Sequence, residues 1–574
     1  MKRFITLGLG VVIGAWLTGC ATTSAGSRAA PVAQPVAVGE PGDFRLGQFE
    51  ADVMYNLLVA ELAGLRGDGL TAAKYYVAAA KLGREPSIAA RAVRVAGAVN
   101  RFDLALEAAQ VWMDVAKDNG EARRVFAVLL LRNGRYDEAR DQLRSLIDSD
   151  AEAAGRNFIY IGQVLSREAD KPKAVELATH LSALYPNMPE AYFTLAMLQQ
   201  RAGVNDAALI SVDRALKLKA SWSEAVVLRA RVLVDLGKKD LAIAALRDHL
   251  AANAEDNTAR LTYARLLVDE RKLDDARVQF ELLAVKMPEN DDVLFALSML
   301  AMQSKNYDEA QKYLEKLDAL GRDSPQVTYY LGQVFERKEQ YDKAMQYYSS
   351  IRAGEYFVNA QLRIAFILSR TKTLADARAH LHSITPGSPE DEREIILFEG
   401  DLLKQAKKFQ DVFDHYNAAL VRFPKDTEML YWRALSAEQI GKTSIALEDL
   451  TYVVNAEPDN AAALNALGFT LTDRTDRHQE ALGYIERAYK LEPNDAAIID
   501  SVGWVHFRLG NYEKAVEYLR KALSMMEDGD VAAHLGEALW VSGKHDEAKV
   551  IWGAARAKFP DNEGLKKTLT RFGQ

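Results

Sequence analysis

Pairs of small residues, about twelve apart, recur along this chain at a step of about 34 residues, and that recurrence limits the fold more than any other feature. Residues 500–523, DSVGWVHFRLGNYEKAVEYLRKAL, show the unit best. They read as two short amphipathic helices with a tight turn at Leu509-Gly510-Asn511. Gly503 is the small residue of the first helix and Ala515 that of the second, so two helix axes can approach closely. Val502, Leu519 and Leu523 supply apolar contacts at helical spacing. Neither helix can bury its apolar face alone, so one hairpin needs a neighbour on each side. Stepping from Gly503 finds them at Gly468, Ala434, Gly400, Ala365, Gly332, Ser298, Ala264, Ala230, Ala196, Gly162 and Ala127, and downstream at Gly536. The second small residue keeps step from Ala139 to Ala548, with Val412 in its place in one unit. Pro186, Pro288, Pro424, Pro458, Pro493 and Pro560 close units at the matching phase, because proline lacks the N–H and clashes with the preceding turn.

The pattern resembles the tetratricopeptide repeat over roughly residues 51–562. That resemblance implies an all-α fold, a tetratricopeptide-repeat solenoid in which antiparallel helix pairs wind into a right-handed superhelix and each unit touches only its neighbours. Two further pairs, Ala60/Ala72 and Val93/Ala105, are degenerate but in register. The expected division is degenerate helical repeats over residues 45–121, the regular solenoid over 122–561, and a capping helix over 562–574. An extra residue falls in 472–480, and a weaker unit over 359–389 ends in ITPGSPEDE, read as a loop.

Ahead of the repeats, residues 1–20 read MKRFITLGLGVVIGAWLTGC. Lys2 and Arg3 precede an apolar run too short to span a bilayer, so a secretory leader over residues 1–19 is expected. Leu17-Thr18-Gly19-Cys20 resembles a bacterial lipobox, which implies cleavage before Cys20 and acylation of its thiol and new amine. Several acyl chains make an effectively permanent anchor. Cys20 is the one cysteine in the chain, which rules out an intrachain disulfide. Ala21 follows rather than aspartate, a resemblance that favours the outer membrane. Residues 20–44 are rich in Ala, Pro, Ser, Thr and Gly and read as a flexible tether with a reach of roughly 25–30 Å.

The formal net charge of −8 becomes about −10 once Lys2 and Arg3 leave, which argues against nucleic acid as a partner. No catalytic constellation and no cofactor motif stands out. Gly441-Lys442-Thr443-Ser444 imitates the end of a phosphate-binding loop, but Ser436 stands where the loop needs glycine. His380 and His382 are two apart and diverge on a helix, and no cysteine or third clustered histidine joins them, so no metal site is expected. Asp274-Asp275 and Asp291-Asp292 fall at turns and helix starts, where acidic side chains complement the helix dipole.

In a stacked array the first helix of each pair lines the concave face. Positions three before, one after and four after the small residue point into it. In the last repeats they include Tyr431, Asn465, Phe469, Asp500, Trp504, Phe507, Glu537 and Trp540. In the middle they include Phe193, Met197, Phe295, Met299, Met302, Tyr329 and Phe366. Rigid aromatics at such a phase make binding anchors unless superhelical curvature lets neighbouring units bury them. Trp504, Phe507 and Trp540 are therefore expected to form part of a protein-binding groove, with Asn465, Asp500 and Glu537 available to a peptide backbone.

Residues 465–523 resemble the outer-membrane tetratricopeptide lipoproteins that act as adaptors of a periplasmic carboxyl-terminal processing protease, and YNLLVAELAGLRGD at 55–68 fits them as well. The resemblance implies a non-enzymatic scaffold, lipid-anchored in the outer membrane and facing the periplasm. Such a scaffold binds the protease and presents substrates such as peptidoglycan endopeptidases, and so controls these hydrolases through their degradation. One alternative is a scaffold for assembly of an outer-membrane export or pilus machine. Another is an enzyme with attached repeats, for which the repeats leave almost no room.

Overall fold

The computed structural model describes residues 50–321 and 324–574, so the leader, Cys20 and the tether lie outside the described residues. Among the described residues there are 31 helices and no strand, the all-α class that the recurrence dictates. None of these helices is long and apolar enough to cross a membrane. They fall into two compact units, one ending at Leu320 and the other beginning at Gly321. The first holds sixteen helices, from Ala51–Leu65 to Tyr307–Ala319; the second holds fifteen, from Pro325–Arg337 to Glu563–Phe572.

Local chemistry sets each hairpin. The Asp495 carboxylate caps the helix Ala496–Arg508 by accepting from the backbone N–H of Ala497 and Ile498 at 2.9 and 3.0 Å. The helix stops because Gly510 turns left-handed, at φ 82°, and the Asn511 N–H reaches back to the His506 carbonyl at 2.9 Å. The chain then re-enters helix at Tyr512–Met525. The same left-handed stop recurs at the turns inside other hairpins. Where no glycine was available it falls on Asn100, Arg271, Lys305, Glu339 and Lys407, all at positive φ. Each of the six prolines named above follows the second helix of its hairpin, as Pro458 follows Thr443–Ala456.

The recurring small residue is a socket. In five hairpins a Cβ added to its glycine would overlap a large side chain on the partner helix: Tyr348 over Gly332, Tyr416 over Gly400, Ile485 over Gly468, Leu519 over Gly503 and Trp552 over Gly536. Val412, where the alanine is missing, is fully buried. Gly162 differs. Its socket faces Thr194 and Met197 of the next hairpin, because a five-residue turn between Ala154–Leu165 and Lys171–Leu184 frees the first helix from its own partner. The extra residue of 472–480 is absorbed by lengthening the helix Ala461–Arg474, and the residue facing Gly468 moves one place on, to Ile485. The loop read in ITPGSPEDE ends at Ser388. That serine caps Pro389–Gln405, so Pro389, Glu390, Asp391 and Glu392 open a helix.

The degenerate N-terminal segment also forms hairpins, Ala51–Leu65 with Gly69–Gly83 and Pro86–Ala98 with Phe102–Val115. A partly buried polar network ties its first three helices. The Arg91 guanidinium donates to the Tyr76 hydroxyl at 2.7 Å and to the Glu61 carboxylate at 3.0 Å, and Tyr76 donates to Glu61. Glu61, Tyr76 and Arg91 belong to successive helices, so the network fixes how they cross.

Candidate interaction surface

The concave positions of the last repeats sort into three groups. In the first, Trp504 is the centre. Its ring stacks on His534 at 4.1 Å between centroids and on Phe507 at 4.9 Å, with interplanar angles of 19 and 18°. Phe469 approaches His534 at 6.2 Å. The Asp500 carboxylate meets Nδ1 of His534 at 3.0 Å. Burial opposes a charge on that imidazole, but the adjacent Asp500 outweighs it and holds the histidine above its ordinary value of 6.5. Trp504 and Asp500 are buried, whereas Phe469 and Phe507 stay half-exposed.

The second group is a latch. Glu537 is buried and pairs with Arg571 on the terminal helix Glu563–Phe572. Burial raises the Glu537 carboxyl above the usual range, against the pull of Arg571. The third group is aromatic. Trp540 packs on Trp552 at 5.7 Å and on Phe572 at 5.9 Å, with His545 edge-on at 4.4 Å. Leu565 and Leu569 bury the inner face of the terminal helix, so that helix closes the last hairpin.

Tyr431 and Asn465 stand apart. Tyr431 meets Trp432 edge-on at 5.2 Å, and Lys404 lies 3.1 Å above the Trp432 ring. Burial pushes the Tyr431 hydroxyl up. The Asn465 side-chain oxygen and the Trp504 indole N–H are both buried without a hydrogen-bond partner among the described residues. In the middle of the chain Phe193 lies against Trp222 at 4.6 Å, Phe295 and Met302 are buried, and Arg363 lies over Phe366 at 4.6 Å.

The sequence reading missed His534, Arg571, Trp552 and Phe572. The first two were findable. His534 lies 34 residues after Asp500 and Arg571 lies 34 after Glu537, one repeat on in each case. Gly441-Lys442 falls in the turn between Thr427–Gln439 and Thr443–Ala456, not between a strand and a helix. Asp274, Asp275, Asp291 and Asp292 stand in first helical turns. Among the described residues no three His, Cys, Asp or Glu side chains are placed to hold a metal ion.

Family models of the tetratricopeptide repeat match residues 227–292, 267–334, 459–528 and 502–563. The TPR repeat-containing protein PA4667 of Pseudomonas aeruginosa is 39% identical over 495 residues, which span 86% of this chain and 83% of that protein. The chain is a tetratricopeptide-repeat protein of that family. Anaphase-promoting complex subunit 7 of Arabidopsis thaliana is 26% identical over 199 residues, 34% of this chain and 36% of its own length. A solved thermophilic TPR protein of Thermus thermophilus, TTC0263, aligns over 32% of this chain and 99% of its own, at 23% identity and a TM-score of 0.29. By the family matches and the Pseudomonas relative the hairpins are tetratricopeptide repeats, and the Trp504 cluster and most of the Trp540 group lie within the two C-terminal matches.

Proposed function

We propose that this tetratricopeptide-repeat protein is an adaptor, held in the outer membrane by a lipid on Cys20, that binds a periplasmic carboxyl-terminal processing protease and presents substrates such as peptidoglycan endopeptidases to it. The observation that carries the reading is the half-exposed aromatic surface of Phe469 and Phe507 around the buried Trp504. It lies in residues 465–523, the stretch that resembles such adaptors. Rigid rings backed by a buried, stacked tryptophan and a histidine paired with Asp500 are anchors that lose little freedom on binding. In this reading residues 1–19 are the leader, 20–44 the tether, 45–121 and 122–561 the repeat array, and 562–574 the cap. A scaffold with two binding surfaces raises the effective concentration of protease and substrate for each other without chemistry of its own.

The test is reconstitution. Purified alone, the protein is expected to leave a cell-wall endopeptidase intact; added to the protease, it should speed loss of the endopeptidase. Phe469→Ala with Phe507→Ala, both half-exposed, should weaken one of the two associations at least tenfold with helix content unchanged. No acceleration with any periplasmic hydrolase, or unchanged binding by the double variant, sinks the reading. Cys20→Ser should release the protein from the membrane fraction. Recovery of secretion components instead of a protease from envelope extracts would favour an assembly scaffold.

A further inference from the structure

The first helix, Ala51–Leu65, has two apolar faces. Val53, Leu57, Ala60, Ala63 and Gly64 are buried. On the other face Tyr55, Leu58, Leu62 and Leu65 are exposed by 61, 60, 45 and 75%, and no described residue covers them. Four large apolar side chains in one row are costly in water and mark an interface. Their steps of three, four and three are those of a two-helix seam, so the surface fits another helix.

The spacing also reads the same from either end. A twofold axis beside Val59 and Ala60 sets Tyr55 against Leu65 and Leu58 against Leu62 of an antiparallel second copy, the mutual pairing that a symmetric interface requires. The same axis sets Asp52 opposite Arg66 on one flank, twice over, and both side chains are exposed. The one like-charge meeting, Glu61 with its own copy, is relieved because Arg91 already neutralises that carboxylate. An anionic membrane surface fits less well, since the charges beside the row within the helix, Asp52 and Glu61, are acidic. We propose that two copies of this chain meet through Ala51–Leu65, antiparallel, across the Tyr55–Leu58–Leu62–Leu65 row. Such pairing needs no protease and holds whether or not the adaptor reading above does. The seam is under two heptads long, so association in the micromolar range is expected. Confinement to a membrane would raise the local concentration well above that.

The test is sedimentation equilibrium of the full chain carrying Cys20→Ser, so that neither acylation nor a disulfide intervenes, from about 1 to 200 μM to bracket that range. A monomer–dimer equilibrium is expected. Leu58→Glu with Leu62→Glu should weaken it more than tenfold with the circular dichroism unchanged, since both side chains are exposed in the monomer. Asp52→Arg should weaken it, and adding Arg66→Asp should restore it. A monomer at every concentration overturns the proposal, as does a dimer untouched by the leucine changes. A swap that fails to restore overturns the antiparallel register. Faster amide exchange over residues 51–65 on removal of residues 1–49 would show the row covered by the chain's own N-terminal segment, and would also overturn it.

Discussion

Gly536 and Gly553 lie in one hairpin, on its first and second helix, and alanine at the two positions should move stability in opposite directions. Nothing lies within 4 Å of a Cβ added at Gly553, so alanine there gains only the lower backbone entropy of its unfolded state, about 0.5–1 kcal/mol. At Gly536 the same gain is offered, but the new Cβ would overlap the indole of Trp552. That ring has nowhere to go. Trp540 and Phe572 pack on it at 5.7 and 5.5 Å, and its N–H points to the Ala533 carbonyl at 3.4 Å. Overpacking costs about 1–3 kcal/mol, so Gly536→Ala should differ from Gly553→Ala by about 1–3 kcal/mol and lose up to about 2 kcal/mol net. The chain also suggests the remedy. In three hairpins whose socket is alanine, the residue sixteen on is a buried aliphatic side chain: Leu450 for Ala434, Leu246 for Ala230, Val212 for Ala196; Ala264 faces the larger Phe280. Gly536→Ala with Trp552→Leu should therefore cost less than the sum of the two changes, by about 1–2 kcal/mol. An array of hairpins frays from its ends, so the assay is hydrogen exchange in Gly529–Val541 and His545–Lys558 rather than a global midpoint. Equal effects of the two alanines, or strict additivity of the double change, would refute the socket.

Lys407 holds φ at 54° in a turn where other hairpins use glycine, and Lys407→Gly should raise urea stability by about 0.5–1 kcal/mol. Because Asp500 raises the His534 imidazole, its contribution is complete below its ordinary value of 6.5 and fades as pH rises through the higher folded value. Exchange protection of Gly529–Val541 should thus fall as pH climbs above about 6.5 after correction for intrinsic rates, and His534→Gln should flatten that fall. Arg91→Met leaves Glu61 and the Tyr76 hydroxyl without their cation. With Arg91 buried and Glu61 one-third exposed, a loss of about 2–3 kcal/mol is expected, read as loss of exchange protection in Ala51–Leu65.

How far the fold could be read from the chain depended on what repeats. A socket must be small in every hairpin, because two helix axes cannot close on a large side chain, so Gly332, Gly400, Gly468, Gly503 and Gly536 announced the pairing before any coordinate did. What filled each socket was less visible, since Tyr348, Leu519 and Trp552 share only a position and a volume limit. The turn at 166–170 was misleading for a related reason. Gly162 keeps the phase, yet a longer turn redirects its open side to Thr194. The Glu61–Tyr76–Arg91 network was invisible, because a single partly buried ion pair in a degenerate pair of repeats leaves no periodic trace.

The concave face shows the same limit at the scale of single residues. Positions counted from the small residue treat each hairpin as rigidly alike, and Gly503 to Gly536 is a step of 33, not 34. Counting from Gly536 therefore selected Glu537 and Trp540 but passed over His534, which counting from Asp500 reaches at once. The distinction matters because two polar pairs on successive first helices follow the rise of the array, whereas the socket is set by the local turn. Asp500 with His534 and Glu537 with Arg571 both obey the rise. Counting 34 finds the partner of Asp500 and of Glu537, and so places the terminal helix as one more first helix in the stack, whereas the buried Glu336, Glu399 and Asp449 pair with Arg363, Arg378 and Arg433 at other spacings.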